Sequence, residues 1–266
     1  EGRRGQMERP LRVLCLHGFS MSGVALRRHM GPVRSGVGNR VVWSYLDAPH
    51  AIERHPMVPE ELLEERGREN CERGETSGQT LAWWRPSQRA DGRWEFAGIG
   101  EGLKLLSDTL ERHEEAPFDG VLGFSQGAGL LSLFVARQAA LPAHRRSIRF
   151  ACFVGGFQCA PAVPDLAHEY RGAPFDLPSL HVYGERDTIV KPRQGRKLEA
   201  LFTTEGRTTV VHEGGHVVAA DTASLRAYNM FFEERRREIV AESASRAQSD
   251  ALLEAQLSLP DGLHGS

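Results

Sequence analysis

Long apolar runs are missing from this chain of 266 residues. No stretch approaches the roughly 20 apolar residues that a membrane-spanning helix needs. The opening EGRRGQMERP has no apolar core of the kind a secretory signal carries. Cysteine is scarce: Cys15, Cys71, Cys152 and Cys159 include no C-x-x-C pair. Cys15 and Cys152 fall in strand-like apolar runs and Cys71 in a charged loop, which reads as free thiols in a reducing compartment rather than a disulfide framework. Neither sign of charge dominates, with 33 basic and 35 acidic residues interspersed, so the basic footprint of a nucleic-acid binder is absent. No G-x-G-x-x-G follows a strand-like segment, no Walker sequence occurs, and the scattered histidines, expected to include no H-x-x-x-H pair, suggest no zinc cluster, so no metal or cofactor is expected. These absences lead to an expected soluble cytoplasmic protein, with the nucleus also open. They say nothing of its oligomeric state.

What is present is a core former. Hydrophobic residues make up 40% of the chain, compatible with a full core, and its length suits one large α/β domain or two small ones. Apolar strand-like runs at 11–18, 41–49, 118–124, 148–157, 179–187 and 208–216 alternate with helical spacing at 98–115, 127–141 and 191–202. A further helix is expected through about Phe232. Alternation of this kind predicts a mostly parallel central sheet with helices on both faces. Residues 1–10 are expected to be a flexible segment, 11–235 the folded domain, and 236–266 a charged helix and tail. Residues 51–97 form a long excursion rich in Glu, Arg, Gly and Pro, expected near the active site and carrying LAWWRP (81–86).

Four motifs carry chemistry. GFSQG (123–127) matches G-x-S-x-G, in which a serine sits on a tight strand-to-helix turn and flanking glycines remove Cβ atoms that would collide there. By itself the pattern is weak, yet GVLGF before it and GAGLLSLFV after it supply a strand and a helix. Ser125 is the candidate nucleophile. LCLHGFS (14–20) ends the first strand, and its loop is positioned to offer a backbone N–H. Phe19 N–H and Gln126 N–H are the candidate oxyanion donors. His17 lies too early for the base, and orienting that loop is the role read for it. LHVYGERDTIV (180–190) places Asp187 just past a strand. A turn aspartate capping the next helix is the competing reading, and Glu185, Asp165 and Asp176 are weaker candidates. VVHEGGH (210–216) places His216 after two glycines at the end of the last strand, with His212 still inside the strand pattern. Each motif alone has a bland explanation. Together they fall in the order Ser, Asp, His, each just past a strand.

With these pieces assembled, the chain resembles the FSH family of serine hydrolases, the group that includes the ovarian-cancer-associated protein 2 hydrolases. The resemblance runs over roughly residues 11 to 232 through LCLHGFSMSG, LDAPH, WW, FDGVLGFSQGA, GGF, HVYGERDTIV and HEGGH. It implies an α/β-hydrolase fold, a catalytic triad of Ser125, Asp187 and His216, and hydrolysis of small-molecule esters or thioesters, often of medium or long acyl chains. Trp83 and Trp84, with His17, are candidates to line the acyl pocket. Packing of the excursion onto the body is an equal reading for the tryptophans. The polar segment from Glu53 to Thr80 is long for the family pattern, which leaves substrate selection open. The competing functions are an acyl-protein thioesterase, which shares a GFSQGG-type turn, and a binding protein of the same fold without turnover. The HGF, DAPH and WW features favour the FSH group over the first. Retention of all three triad residues disfavours the second.

Overall fold

The computed structural model describes residues 9–52, 80–88, 94–112, 116–142, 145–159 and 164–257. Strand β1 (Leu11–Leu16) leads through two short helices, α1 (Gly23–His29) and α2 (Gly31–Val37), to β2 (Val41–Leu46). Two small antiparallel ladders follow: β3 (His50–Ala51) with β4 (Leu81–Ala82), and β5 (Arg85–Gln88) with β6 (Trp94–Ala97). Then come α3 (Ile99–Glu111), β7 (Gly120–Phe124), α4 (Gln126–Ala139) and β8 (Phe150–Val154). A 3-10 segment, Pro164–Gly172, precedes β9 (Ser179–Gly184), α5 (Pro192–Glu199), β10 (Arg207–His212) and α6 (Thr222–Leu257).

The main sheet has six strands in the order β10-β9-β8-β7-β1-β2, all parallel. Successive residues of the strands join the cores on opposite faces of the sheet, with the period of two that a pleated backbone imposes. Leu14 and Leu16 join one core with Val121, Ala151 and Phe153, beneath residues of α3 and α4 such as Leu106 and Leu130. Val13 and Cys15 join a second core with Leu122, Phe150 and Cys152, against residues of α1, α2 and α6 such as Leu26, Val33, Phe231 and Phe232. A parallel sheet hidden on both faces is what the near-continuous apolar strands require. Because β1 is followed by β2 on one side while β7 lies on the other, the strand order reverses between β1 and β7. Crevices at the carboxyl ends of strands form at such a reversal.

Several local features were not read from the sequence. The helices α1 and α2 lie in a stretch crowded with Gly31, Pro32, Gly36 and Gly38. Ser22 starts the first by accepting from Ala25 N–H at 3.2 Å, and Pro32 sits in the first turn of the second, where a missing N–H costs nothing. The helix expected through about Phe232 and the charged helix expected after Arg235 are one continuous element reaching Leu257. No Gly or Pro interrupts residues 222–257, and Arg236 and Arg237 both reach Glu233 within helical spacing. Much of the 51–97 excursion, Cys71 included, lies outside the described residues. Its two ends are joined: Ile52 N–H donates to Thr80 O at 2.8 Å and Thr80 Oγ1 donates to Ile52 O at 2.5 Å. Cys15, Cys152 and Cys159 are free and buried, and burial pushes all three thiols up, Cys159 to about 12. Among the described residues no helix is long and apolar enough to cross a membrane.

Candidate active site

Ser125 stands between the last residue of β7 and the first of α4, with φ +52° and ψ −115°. A non-glycine residue in such a conformation costs on the order of 1–3 kcal/mol and persists only where its surroundings fix it. Here Ser125 N–H donates to Val154 O at 2.9 Å, and Ser125 O accepts from Gly129 N–H at 3.0 Å. The glycines on either side are sterically obligatory. A Cβ at Gly123 would lie 2.6 Å from the backbone of Ala128, and one at Gly127 would lie 2.4 Å from Leu16 O and 2.6 Å from His17 O. Both collisions are with backbone, which cannot swing aside. Gly127→Ala is therefore expected to destabilise the fold by about 3 kcal/mol, read as a shifted urea midpoint. An unchanged midpoint would mean that β1 and α4 are not so closely apposed. At the start of the 14-residue α4, the N–H groups beside Ser125 carry the positive end of the helix dipole.

The loop after β1 reaches the same place from the neighbouring strand. Ser20, at φ +59°, donates its N–H to Leu81 O at 2.8 Å, and Met21 bridges to Leu81. Phe19 is partly buried against Ile52 and Ala82. His17 is wholly buried and joins the loops after β1 and β2. Ala48 N–H donates to its Nε2 at 3.0 Å, so that nitrogen is unprotonated and Nδ1–H donates to Gly18 O at 2.8 Å. Burial lowers the imidazole to about 4, against weaker opposing effects of the Gly18 carbonyl and of Asp47, so the ring is neutral. Trp83 and Trp84 are buried as well: the Trp83 indole N–H donates to His17 O at 2.8 Å, and Trp84 packs edge-on against Phe96 and Phe157.

Asp187 and His216 come together. His216 Nδ1–H donates to Asp187 Oδ2 at 2.6 Å, and Asp187 Oδ1 accepts from Ile189 N–H and Val190 N–H, each at 2.9 Å. The turn role and the imidazole contact, alternatives in the sequence, are both present, one on each carboxylate oxygen. The helix that follows starts only at Pro192, so Asp187 closes a turn and does not cap α5. The His216 ring lies on the Phe124 ring with centroids 5.0 Å apart. It also fills the space beside Gly155, where φ is +55° and a Cβ would approach its Cε1 to 2.9 Å. Phe124 precedes Ser125 and Val154 O holds the Ser125 N–H, so the imidazole rests on the residues that frame the serine. Glu185 and Asp176 are exposed.

His212 is the last residue of β10, and its Nδ1 accepts from Gly214 N–H at 3.1 Å. His212-Glu213-Gly214-Gly215-His216 spells H-E-x-x-H, so the expectation that the chain has no H-x-x-x-H pair is incorrect. On a helix that spacing places two imidazoles on one face for zinc. Here a strand end and a glycine turn carry it, and the two Nδ1 atoms are engaged by Gly214 and Asp187. Among the described residues no group of three or more His, Cys, Asp or Glu side chains could hold a metal ion.

His181 lies outside the site but shares the state of His17: buried, stacked on Phe153 at 5.0 Å, and lowered to about 3 by burial and then by Arg207. Below the unfolded value of about 6.5 the unfolded chain takes up protons that the folded one refuses, so stability falls from pH 6.5 towards pH 4. The His181→Leu variant should lose part of that pH dependence, on the order of 3 kcal/mol at pH 4, in denaturation midpoints across the range. A variant as pH-dependent as wild type would show that His181 does not stay neutral in the fold.

A family model described as serine hydrolase (FSH1) matches residues 7–228. The chain is 34% identical over 233 residues to the esterase OVCA2 of Homo sapiens, an alignment covering 85% of this chain and 97% of the human protein. Its fold is similar to that of acyl-protein thioesterase 2 of Zea mays, with a TM-score of 0.57 at 15% identity over 89% of this chain and 100% of that one. It is also similar to esterase PE8, with a TM-score of 0.56 at 18% identity over 85% and 93%. With the parallel sheet described above, these likenesses make the fold an α/β-hydrolase fold.

Proposed function

The chain belongs to the FSH1 family of serine hydrolases, and from that premise we propose that it cleaves carboxylic esters or thioesters through Ser125, Asp187 and His216. The observation that carries this reading is the His216–Asp187 hydrogen bond of 2.6 Å, with the imidazole resting on Phe124 beside the strained Ser125 turn. Asp187 holds Nδ1 protonated, which leaves Nε2 to take the Ser125 proton as Oγ attacks the acyl carbonyl. The developing oxyanion accepts from Phe19 N–H and Gln126 N–H, each worth roughly 3 kcal/mol in the transition state. The imidazolium returns its proton to the departing alkoxide or thiolate. A water then enters, gives a proton to Nε2 and attacks the acyl-enzyme, and Ser125 leaves with that proton. This chemistry calls for no cofactor.

Medium to long acyl chains are the proposed substrates. Ile189 and Val217 support this: they stand two residues past Asp187 and one past His216 in the chain, and at 64% and 52% exposed they have apolar surface to offer. The wholly buried His17 and Trp83 are assigned to holding the loops, and the acyl wall is left to groups with surface to offer. The test is a chain-length panel of p-nitrophenyl esters and acyl thioesters. Turnover should rise from acetyl to longer chains, and Ile189→Ser with Val217→Ser should raise KM several-fold for the long ones only. A protein that hydrolyses none of the panel would overturn the reading.

A further inference from the structure

We propose that the Gln126 side chain is a positioning residue that sets the spacing of the two oxyanion donors; the inference rests on the reading of Phe19 N–H and Gln126 N–H given above. Gln126 is almost wholly buried, and both ends of its amide are used. Oε1 accepts from Trp83 N–H at 2.9 Å and Nε2 donates to Trp84 O at 2.9 Å. The same Trp83 donates its indole N–H to His17 O, and a Cβ on Gly127 would lie 2.6 Å from that oxygen. The contacts close a circuit. It runs from Gln126 through its amide to the Trp83 backbone, through the indole to the His17 carbonyl, and back to Gly127 beside Gln126. Gln126 itself and Phe19, two residues beyond His17, are the two proposed donors.

Few side chains could close this circuit. A donor and an acceptor are needed at one tip, and a neutral amide has both. Losing it would leave the buried Trp83 N–H and Trp84 carbonyl without that partner, and would free the first residue of α4 to shift against the loop after β1. An oxyanion site acts because its donors are fixed before charge develops, so a displacement well under 1 Å matters to the transition state more than to the bound substrate. A side chain that only filled space would not produce that asymmetry.

The test compares wild type with Gln126→Met, Gln126→Glu and Trp83→Phe, using p-nitrophenyl butyrate as substrate and butylboronic acid as transition-state mimic. Gln126→Met should lower kcat about 10- to 100-fold, weaken the boronate by a similar factor and leave KM within about twofold. Trp83→Phe, which keeps a ring and removes only the indole N–H, should show the same pattern at a smaller size and stands in if Gln126→Met fails to fold. Gln126→Glu carries a second signature. A protonated carboxyl can donate to Trp84 O and a carboxylate cannot, so its activity relative to wild type should rise as pH falls. Folded Gln126→Met or Trp83→Phe with wild-type kcat and boronate affinity, or a change in KM alone, would overturn the inference. Absence of hydrolysis by wild type would instead overturn the reading of Ser125, and the inference with it.

Discussion

Ser125→Ala is expected to lower kcat about a millionfold, down to what binding and the oxyanion donors supply without a nucleophile. Alanine retains the Cβ, so the turn at φ +52° keeps its geometry and its bonds to Val154 O and Gly129 N–H. The thermal midpoint should therefore stay close to wild type while turnover vanishes. The residues of a triad act as a unit, so His216→Ala should lose about as much, and the double variant little more. His212→Ala supplies the contrast. Its ring faces Gly214 N–H and has no bond to Asp187, so kcat should fall no more than a few-fold. A large loss in His212→Ala with activity kept in His216→Ala would reverse the assignment of the base.

Asp187→Asn is the second large effect, expected to reduce kcat about 10⁴-fold. Asparagine can still accept from Ile189 N–H and Val190 N–H, so the turn survives. What changes is the other half of the side chain. An amide nitrogen facing Nδ1 donates to it and leaves the proton on Nε2, the tautomer that cannot take one from Ser125. The loss should thus come with a native fold and an almost unchanged KM. A drop below tenfold would mean that the hydrogen bond of 2.6 Å positions His216 without setting its tautomer.

The six strands of the main sheet and the order of the chemical residues were legible because both depend on short-range pattern, whereas the short ladders β3–β4 and β5–β6 were not read. A buried parallel strand announces itself as a continuous apolar run, and Ser125, Asp187 and His216 each stand just past one. The rest depends on contacts between distant segments. Gln126 reaches Trp83 across 43 residues of chain, and nothing in GFSQG or LAWW signals that the amide of one fits the backbone of the other. His17 looked like a loop-orienting residue, but its tautomer follows from Ala48 N–H, a donor 31 residues away. Gly155 combines a positive φ with a Cβ position that His216 fills, and no local rule predicts that second constraint. A charged helix after Arg235 was expected, but nothing local in the sequence signals that it joins the preceding helix as the single α6.

The most direct test of the account is to react the protein with a fluorophosphonate, digest it and locate the added mass. The prediction is one adduct per chain, on the peptide carrying Ser125, absent from Ser125→Ala and formed far more slowly in His216→Ala. An adduct on another serine, or an active protein that takes up no probe, would contradict it.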